Sequence, residues 1–430
     1  MKKKILALAI GAALTVPAFV AQADVTVYGL VQAEIAQVKA DDNGYASIGS
    51  TYYALPGTGN TSSAYASTAT GNTTAAYGDG TSGVNINNAR RVAMVDNKNG
   101  RVGVKFNEDL GNGMTGLGVV EWVISTTDQE NANGGFTGQR ETWVGIQDSS
   151  LGQIALGRFN GLYKVTGGVM WDPFIATTLE ARNNGGMSGG NFGQDGYLSN
   201  MIRYIAPKFA GVTLSGMYSP DAGSASKNSI SAGNGAGISQ GAKGDYELAA
   251  DWKGGPNNMV EVIGVYARHA NSTNTVGTGV AGTTYVNYDQ ERRAKLGAQV
   301  TFGSGITHTF SAQYETITNR DNISGFGNPT LVLNTNLSSQ VTGTYSNLNE
   351  KVLFGGYQLG IGNTIVAAQL GQDKVDAVNM KTTYVAVGAI YKFSKTFRAF
   401  GGVRRTQTKF DLVGDQPKVQ TISVGLRKDF

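Results

Sequence analysis

Apolar and polar residues alternate along most of this chain in short runs. Val25, Val27, Gly29, Val31 and Ile35 alternate with Thr26, Tyr28, Gln32 and Glu34. Val102, Val104 and Phe106 alternate with Arg101, Gly103, Lys105 and Asn107, and Leu296, Ala298, Val300 and Phe302 with Lys295, Gly297, Gln299 and Thr301. The pattern returns at Val385–Phe393 and at Ile422–Phe430. A period of two gives each segment one apolar and one polar face, which predicts β-strands. After the first residues no run approaches the 18 apolar residues that a spanning helix needs.

The connections are of two kinds. Short ones fall at 108–113, 149–152, 207–211, 254–257, 303–305, 360–363 and 394–396. Long ones, rich in Gly, Ser, Thr, Asn and Ala, fall at 39–89, 128–138, 160–199, 220–243, 270–289 and 319–349, with shorter members at 374–379 and 409–417. The two kinds take turns, so sixteen strands are expected, with both ends of the mature chain on the short-turn side. A hairpin hidden in 319–349 would change that count by two. Short turns at one end and long loops at the other mark outer-membrane barrels. Sixteen strands of about 9–11 membrane residues use roughly 145–175 residues, so one barrel accounts for the whole mature chain.

Composition separates this barrel from a soluble sandwich. Charged residues are only 15% of the chain, and there are 61 Gly and no Cys. The polar faces carry Gly, Ser, Thr, Gln and Asn with scattered Arg and Lys, which suits a water-filled interior better than a charged soluble surface. Tyr28, Phe106, Trp122, Trp143, Tyr218, Trp252, Tyr266, Phe302, Phe393 and Phe397 lie near strand ends, where interfacial girdles are expected. The absence of Cys excludes thiolate metal sites and disulfides, and two His make a multi-histidine site a poor expectation. No cofactor is expected.

Lys2–Lys4, the apolar run to Val20 and Ala21-Gln22-Ala23 read as a secretory signal peptide over 1–23, cleaved between Ala23 and Asp24. The barrel domain is then 24–430. Removing three Lys lowers the net charge from +4 to +1, which gives no footprint for nucleic acid. Gly186-Met187-Ser188-Gly189-Gly190 fits a nucleophile-elbow string, but it lies in a glycine-rich loop. Gly277, Gly279 and Gly282 fit a dinucleotide fingerprint without a βαβ unit around them. Neither supports an enzyme, and His269 and His308 stand far apart in the sequence.

The motifs, taken in order, resemble those of Gram-negative general diffusion porins of the beta-proteobacterial type. They are Asp24–Gly29, Arg101–Phe106 with Glu108–Gly113, Arg140–Ile146, Leu151–Arg158, Asp172-Pro173-Phe174, Asn200–Gly211, Tyr391–Thr396 and Gly425–Phe430. The resemblance implies an all-β transmembrane barrel in the outer membrane. It also implies a third loop, here 160–199, folded inward to narrow the bore, and a homotrimer. The partners implied are outer-membrane lipid and lipopolysaccharide, the barrel-assembly machinery, and small hydrophilic solutes and ions. Phe430 is the implied assembly signal. Arg101, Arg140 and Arg158, with Lys105 and Arg203 behind them, are expected at the constriction, facing Asp172 and Glu180 of the loop. Glu121 stands on a polar face nearby. Gln32 and Ala155 depart from the family pattern, at positions where an acid and a base are usual. The alternatives are a substrate-selective porin, a surface adhesin and a barrel enzyme.

Overall fold

Each strand pairs antiparallel with its chain neighbours, and the last pairs with the first, in the computed structural model of the chain. The structure describes residues 24–41, 67–69, 72–74, 89–95, 100–126, 136–189, 193–194, 196–219, 245–270, 276–277, 284–285, 290–320, 348–376, 379–410 and 418–430. The signal segment with Ala23, and most of the long loops, lie outside them.

The strands are β1 (Asp24–Asp41), β2 (Ala89–Val95 and Arg101–Gly111), β3 (Met114–Ile124), β4 (Phe136–Asp148), β5 (Gly152–Asn160) and β6 (Tyr197–Ile205). Then come β7 (Val212–Tyr218), β8 (Tyr246–Gly254), β9 (Val260–Ala270), β10 (Gln290–Phe302) and β11 (Ile306–Arg320). The last are β12 (Leu348–Ile361), β13 (Thr364–Val375), β14 (Met380–Lys392), β15 (Phe397–Phe410) and β16 (Lys418–Asp429). The two segments of β2 lie end to end along β1, one against its second half and one against its first. They fill one place, so the barrel has sixteen strands. β11 pairs directly with β12, so the 319–349 connection adds none.

Closure is carried by the ends of the chain. β1 and β16 pair from Leu30–Asp429 to Asp41–Lys418. The Gly29 N–H donates to the Phe430 carbonyl at 2.9 Å, and the Phe430 N–H donates back to Gly29 at 3.0 Å. Asp24 opens β1 at the short-turn end.

The alternation maps onto an outer and an inner face. Val25, Val144, Leu156, Leu296, Leu370, Val387 and Val424 point outward and are exposed. Phe106, Trp122, Tyr218, Phe302 and Phe393 stand exposed with them, as girdle residues should. Two expected girdle residues turn inward. Tyr28 donates its hydroxyl to Glu121 at 2.9 Å, and Trp143 stacks on Phe159 with centroids 5.7 Å apart.

The inner face is less bland than the sequence suggests. It buries Glu34, Glu247, Glu291, Arg293, Lys295 and Glu315, and also the apolar Ile263, Val265 and Phe354. The reason is the inward-folded third loop, described over 161–189, which includes a single helical turn (Leu162–Val165) and a 3-10 turn (Gly168–Trp171). Its Leu162, Tyr163 and Trp171 pack with Phe159, Met201, Ile263 and Val265. Its Phe174, Leu179 and Met187 pack with Phe354, Ala367 and Tyr384. Gly371 of β13 permits a close approach of the loop, because a Cβ placed on it would lie 2.3 Å from the Gly186 Cα.

An outward charge midway along a strand meets hydrocarbon, so Val424→Arg is expected to lower barrel stability by about 2–4 kcal/mol. Equilibrium urea unfolding in lipid vesicles measures this; an unchanged midpoint would place Val424 away from lipid.

Candidate functional site

The third loop has little regular structure, yet its backbone N–H groups are buried and need acceptors. Carboxylates supply them. Glu247 of β8 accepts the Tyr163 N–H at 2.9 Å. Asp172 accepts Phe174 and Ala181, each at 2.8 Å, and Glu180 accepts Ala176 at 2.9 Å. Glu34 of β1 accepts the Thr178 N–H at 3.0 Å and its hydroxyl at 2.9 Å. Glu315 of β11 accepts the Ser188 hydroxyl at 2.5 Å and the Tyr163 hydroxyl at 2.9 Å. Loop carbonyls are met in turn by wall donors. Lys295 donates to Tyr163, Gln32 to Ala176, and Tyr384 to Leu179. The loop is therefore tied to the wall from β8 round to β1.

This places the two loop acids. Asp172 is 2% exposed, with Gln369 of β13 as a third donor at 2.8 Å, so it anchors the loop and presents no charge to the bore. Burial raises its carboxyl from an ordinary 3.8 to about 6, against the lowering by its hydrogen bonds. Glu180 makes a bidentate pair with Arg182, with both of its oxygens 3.0 Å from Nη2.

The loop hydrogen bonds named above leave out β2–β6, and the predicted basic residues gather there. Tyr28, Gly103 and Glu121 are direct partners across β1, β2 and β3. A side chain at Gly103 would meet the Tyr28 ring at 2.4 Å, so glycine there lets that ring cross β2 and reach Glu121. The β3–β4 register slips at Glu121, setting both Arg140 and Glu141 against it. Such a bulge re-aims side chains. Arg140 Nε binds Glu121 Oε1, and Arg101 Nε lies 3.7 Å from Oε2. Lys105 stands 4.4 Å above the Tyr28 ring.

Tyr197 links wall and loop. Arg140 of β4 and Lys164 of the loop lie 5.1 and 4.2 Å from its ring centroid. Arg158 lies 5.4 Å from it, but its guanidinium is engaged by the wall, donating to the Arg140 carbonyl at 3.0 Å and to Ser199 at 2.7 Å. Arg203 is directly opposite Ala155, whose small side chain leaves room for it, and lies over Phe159 and Trp143 at 4.2 and 4.9 Å. It packs on rings, and among the described residues it contacts no acid of the loop.

The structure thus brings Arg101, Arg140, Lys105 and Glu121 into one group, and Asp172 and Glu180 into another. Glu34, Glu247, Glu315, Lys164 and Tyr197 were not picked out from the sequence. The three wall acids stand at inward positions of alternating strands, a signal that marks the face but not the loop atoms they receive. Ser188, the centre of the nucleophile-like string, binds Glu315. His269 is buried beside Glu247 at 3.2 Å, and among the described residues no group of His, Cys, Asp and Glu could hold a metal.

A family model described as Gram-negative porin matches residues 7–411. None of the curated proteins compared with the chain matches it. The anion-selective porin from Comamonas acidovorans superposes with a TM-score of 0.59 at 16% identity, covering 95% of this chain and 100% of its own. Salmonella typhi OmpF, in complex with daunomycin, gives 0.55 at 14% identity over 94% and 97%. OmpT of Vibrio cholerae, folded in vitro, gives 0.55 at 11% identity over 95% and 98%. At these identities the likeness is one of fold.

A carboxyl that titrates at about 6 when docked and at 3.8 when released holds more protons in the docked state between those values. The Asp172 contribution to docking is thus full below pH 3.8 and is lost as pH rises through 6. Hydrogen exchange at 174–182 is expected to quicken across that window, after correction for intrinsic chemistry, and Asp172→Asn to remove the slope. An equal slope in the variant would assign it to another group.

Proposed function

The chain belongs to the Gram-negative porin family and forms an outer-membrane diffusion channel, and on that premise we propose that it favours anions, with Arg101, Arg140 and Lys164 setting the sign of the constriction. The observation that carries this reading is the unequal use of charge around the bore. The acids are consumed: Asp172 is buried in the loop anchor, Glu180 is paired with Arg182, and Glu121 is shared among Tyr28, Arg140 and Arg101. On the β1–β4 wall Glu34 and Glu141 accept the Thr178 and Asn160 N–H groups, which leaves Arg101, Arg140 and Lys105 around Glu121, and the loop adds Lys164 beside Tyr197.

Selectivity then follows from electrostatics in a narrow wet gap, without a reaction and without a cofactor. Fixed charges within the Debye length of about 8 Å act on every passing ion. A net positive lining attracts small anions and solutes with carboxylate or phosphate groups, and repels cations. Arg158 and Arg203, expected at the constriction, act in this reading through structure: one clamps β4 to β6 and the other fills the space across from Ala155.

We further infer that the active form is a homotrimer, that 1–23 is removed between Ala23 and Asp24, and that Phe430 is read by the assembly machinery. The paired Gly29 and Phe430 give that signal a mechanical sense, since the same residue seals the seam.

Single-channel recording across a KCl gradient tests the reading. The wild type should give ohmic steps closing in thirds, with a reversal potential of anion-selective sign. Arg101→Gln with Arg140→Gln should move the permeability ratio several-fold toward cations, and Arg203→Gln should leave its sign unchanged. A ratio indifferent to the double variant would remove these residues from the constriction.

A further inference from the structure

The Arg203 side chain fills the space opposite Ala155, but its charge is not used by the wall. The guanidinium lies over Phe159 and Trp143, at 4.2 and 4.9 Å from the ring centroids. Among the described residues it meets no carboxylate and no hydrogen-bond acceptor, and its Nε is buried. The Trp143 Nε1–H beside it is also buried without an acceptor. Buried indole and guanidinium donors ordinarily find one. Glu141 of β4, the acid whose charge reaches Arg203, accepts the Asn160 N–H at 3.0 Å instead. Two unmatched donors therefore share one pair of stacked rings.

These donors stand at one end of a trough in the inner wall. Arg203 of β6, Ala155 of β5, Gly145 of β4 and Leu117 of β3 are direct partners in a single inward-facing row. Neighbouring strands lie about 4.8 Å apart, so the row is about 14 Å long. Its middle is nearly bare, and a Cβ placed on Gly145 would meet that of Ala155 at 2.7 Å. Two residues along β4 toward the constriction the Trp143 indole forms one edge. On the other side the partners Gln147 and Gln153 form a polar edge. The row thus runs from a cation to an apolar end, with an indole along it. Arg203, Trp143 and Leu117 each keep part of their surface exposed, so the trough opens to the lumen. Arg158 stands farther up β5, about 10 Å from the row, which places the trough between the constriction and the short-turn mouth.

We propose that this trough binds a small monocarboxylate with an apolar body. The carboxylate sits on Arg203 and the Trp143 N–H, and the body lies over Gly145 against the indole and Leu117. The chemistry of the row selects this class. A guanidinium is a flat fork that takes a carboxylate through two parallel hydrogen bonds. One cation balances one negative charge, so a phosphate dianion would leave a charge unmatched beside Leu117. A sugar acid would bring hydroxyl groups that Leu117 and the indole cannot meet. Chloride offers neither the paired acceptors nor the body. Such a solute is held after it passes the constriction, so its transit saturates while that of simple ions does not. The proposal rests on the channel reading and is separate from the sign of ion selectivity, which Arg203 does not set.

The test is the current through the full mature protein, folded and inserted in a planar bilayer in KCl. Sodium benzoate is the probe and sodium gluconate the hydroxylated control. Benzoate should reduce the wild-type current with saturation, and gluconate should need about tenfold more for the same effect. Arg203→Gln should raise the half-blocking benzoate concentration about tenfold. Arg203→Lys, which keeps the charge but loses the flat fork, should raise it nearly as much. Trp143→Phe keeps a ring without the N–H, and Leu117→Gln makes the apolar end polar; each should raise it about threefold. Arg398→Gln, on the far wall, should leave it unchanged. Heat-modifiable mobility on gels and normal conductance in KCl alone confirm that each variant is folded. Wild-type block in either Arg203 variant, or equal block by gluconate, would overturn the proposal. Saturation-transfer NMR of benzoate on the protein in detergent reads binding without current. Binding that Arg203→Gln abolishes, in a wild type that does not conduct, would strike only the channel reading. Normal conductance with no benzoate binding would strike only the trough.

Discussion

Hydrocarbon offers no partner to a peptide N–H or C=O, and nearly every feature of this chain follows from that constraint. A sheet can satisfy it only by closing, so the seam between β16 and β1 is the joint on which the barrel depends. Twelve consecutive residue pairs and the reciprocal bonds of Gly29 and Phe430 hold it. Closure fixes an inside and an outside, and the period of two then sends every second side chain to lipid. Val424 and Lys295 illustrate the outcome, at 60% and 1% exposure on opposite faces.

The same constraint acts a second time within the barrel. A loop with little regular structure, packed against the wall, leaves its N–H groups away from bulk water, where each would cost free energy if unmatched. Glu34, Glu247 and Glu315 on the wall and Asp172 and Glu180 on the loop take up that role. Their negative charge is thereby committed to holding the backbone, which is what the proposed dominance of bases in the lining rests on. Loop anchoring and the proposed ion preference are in this way two consequences of one distribution of carboxylates.

Local irregularities supply the fine placement. The bulge at Glu121 turns Arg140 inward, and a second slip, between Gly157 and Phe159, sets Arg158 against Ser199. Gly103 opens the path by which Tyr28 reaches Glu121. These are departures from ideal strand pairing at the place where function is expected, as is common for bulges beside working sites.

The strand number and the outward apolar face were legible in the chain, because period two and turn composition are local properties, whereas the inward-folded loop was implied only by the family resemblance. Arg101 and Arg140 were singled out through the family's motifs and Glu121 as a polar position of its strand, and the structure sets the three in contact. Other assignments were decided only by the tertiary structure. Tyr28 and Trp143 have the composition of girdle residues, yet one binds Glu121 and the other stacks on Phe159. Asp172 has the charge of a constriction acid, yet it lies buried under Ala181 and Gln369. The physical reason is common to all of these: sequence periodicity sets which face a side chain takes, but its partner depends on pairings between residues far apart in the chain, and those exist only once the barrel has closed around its loop.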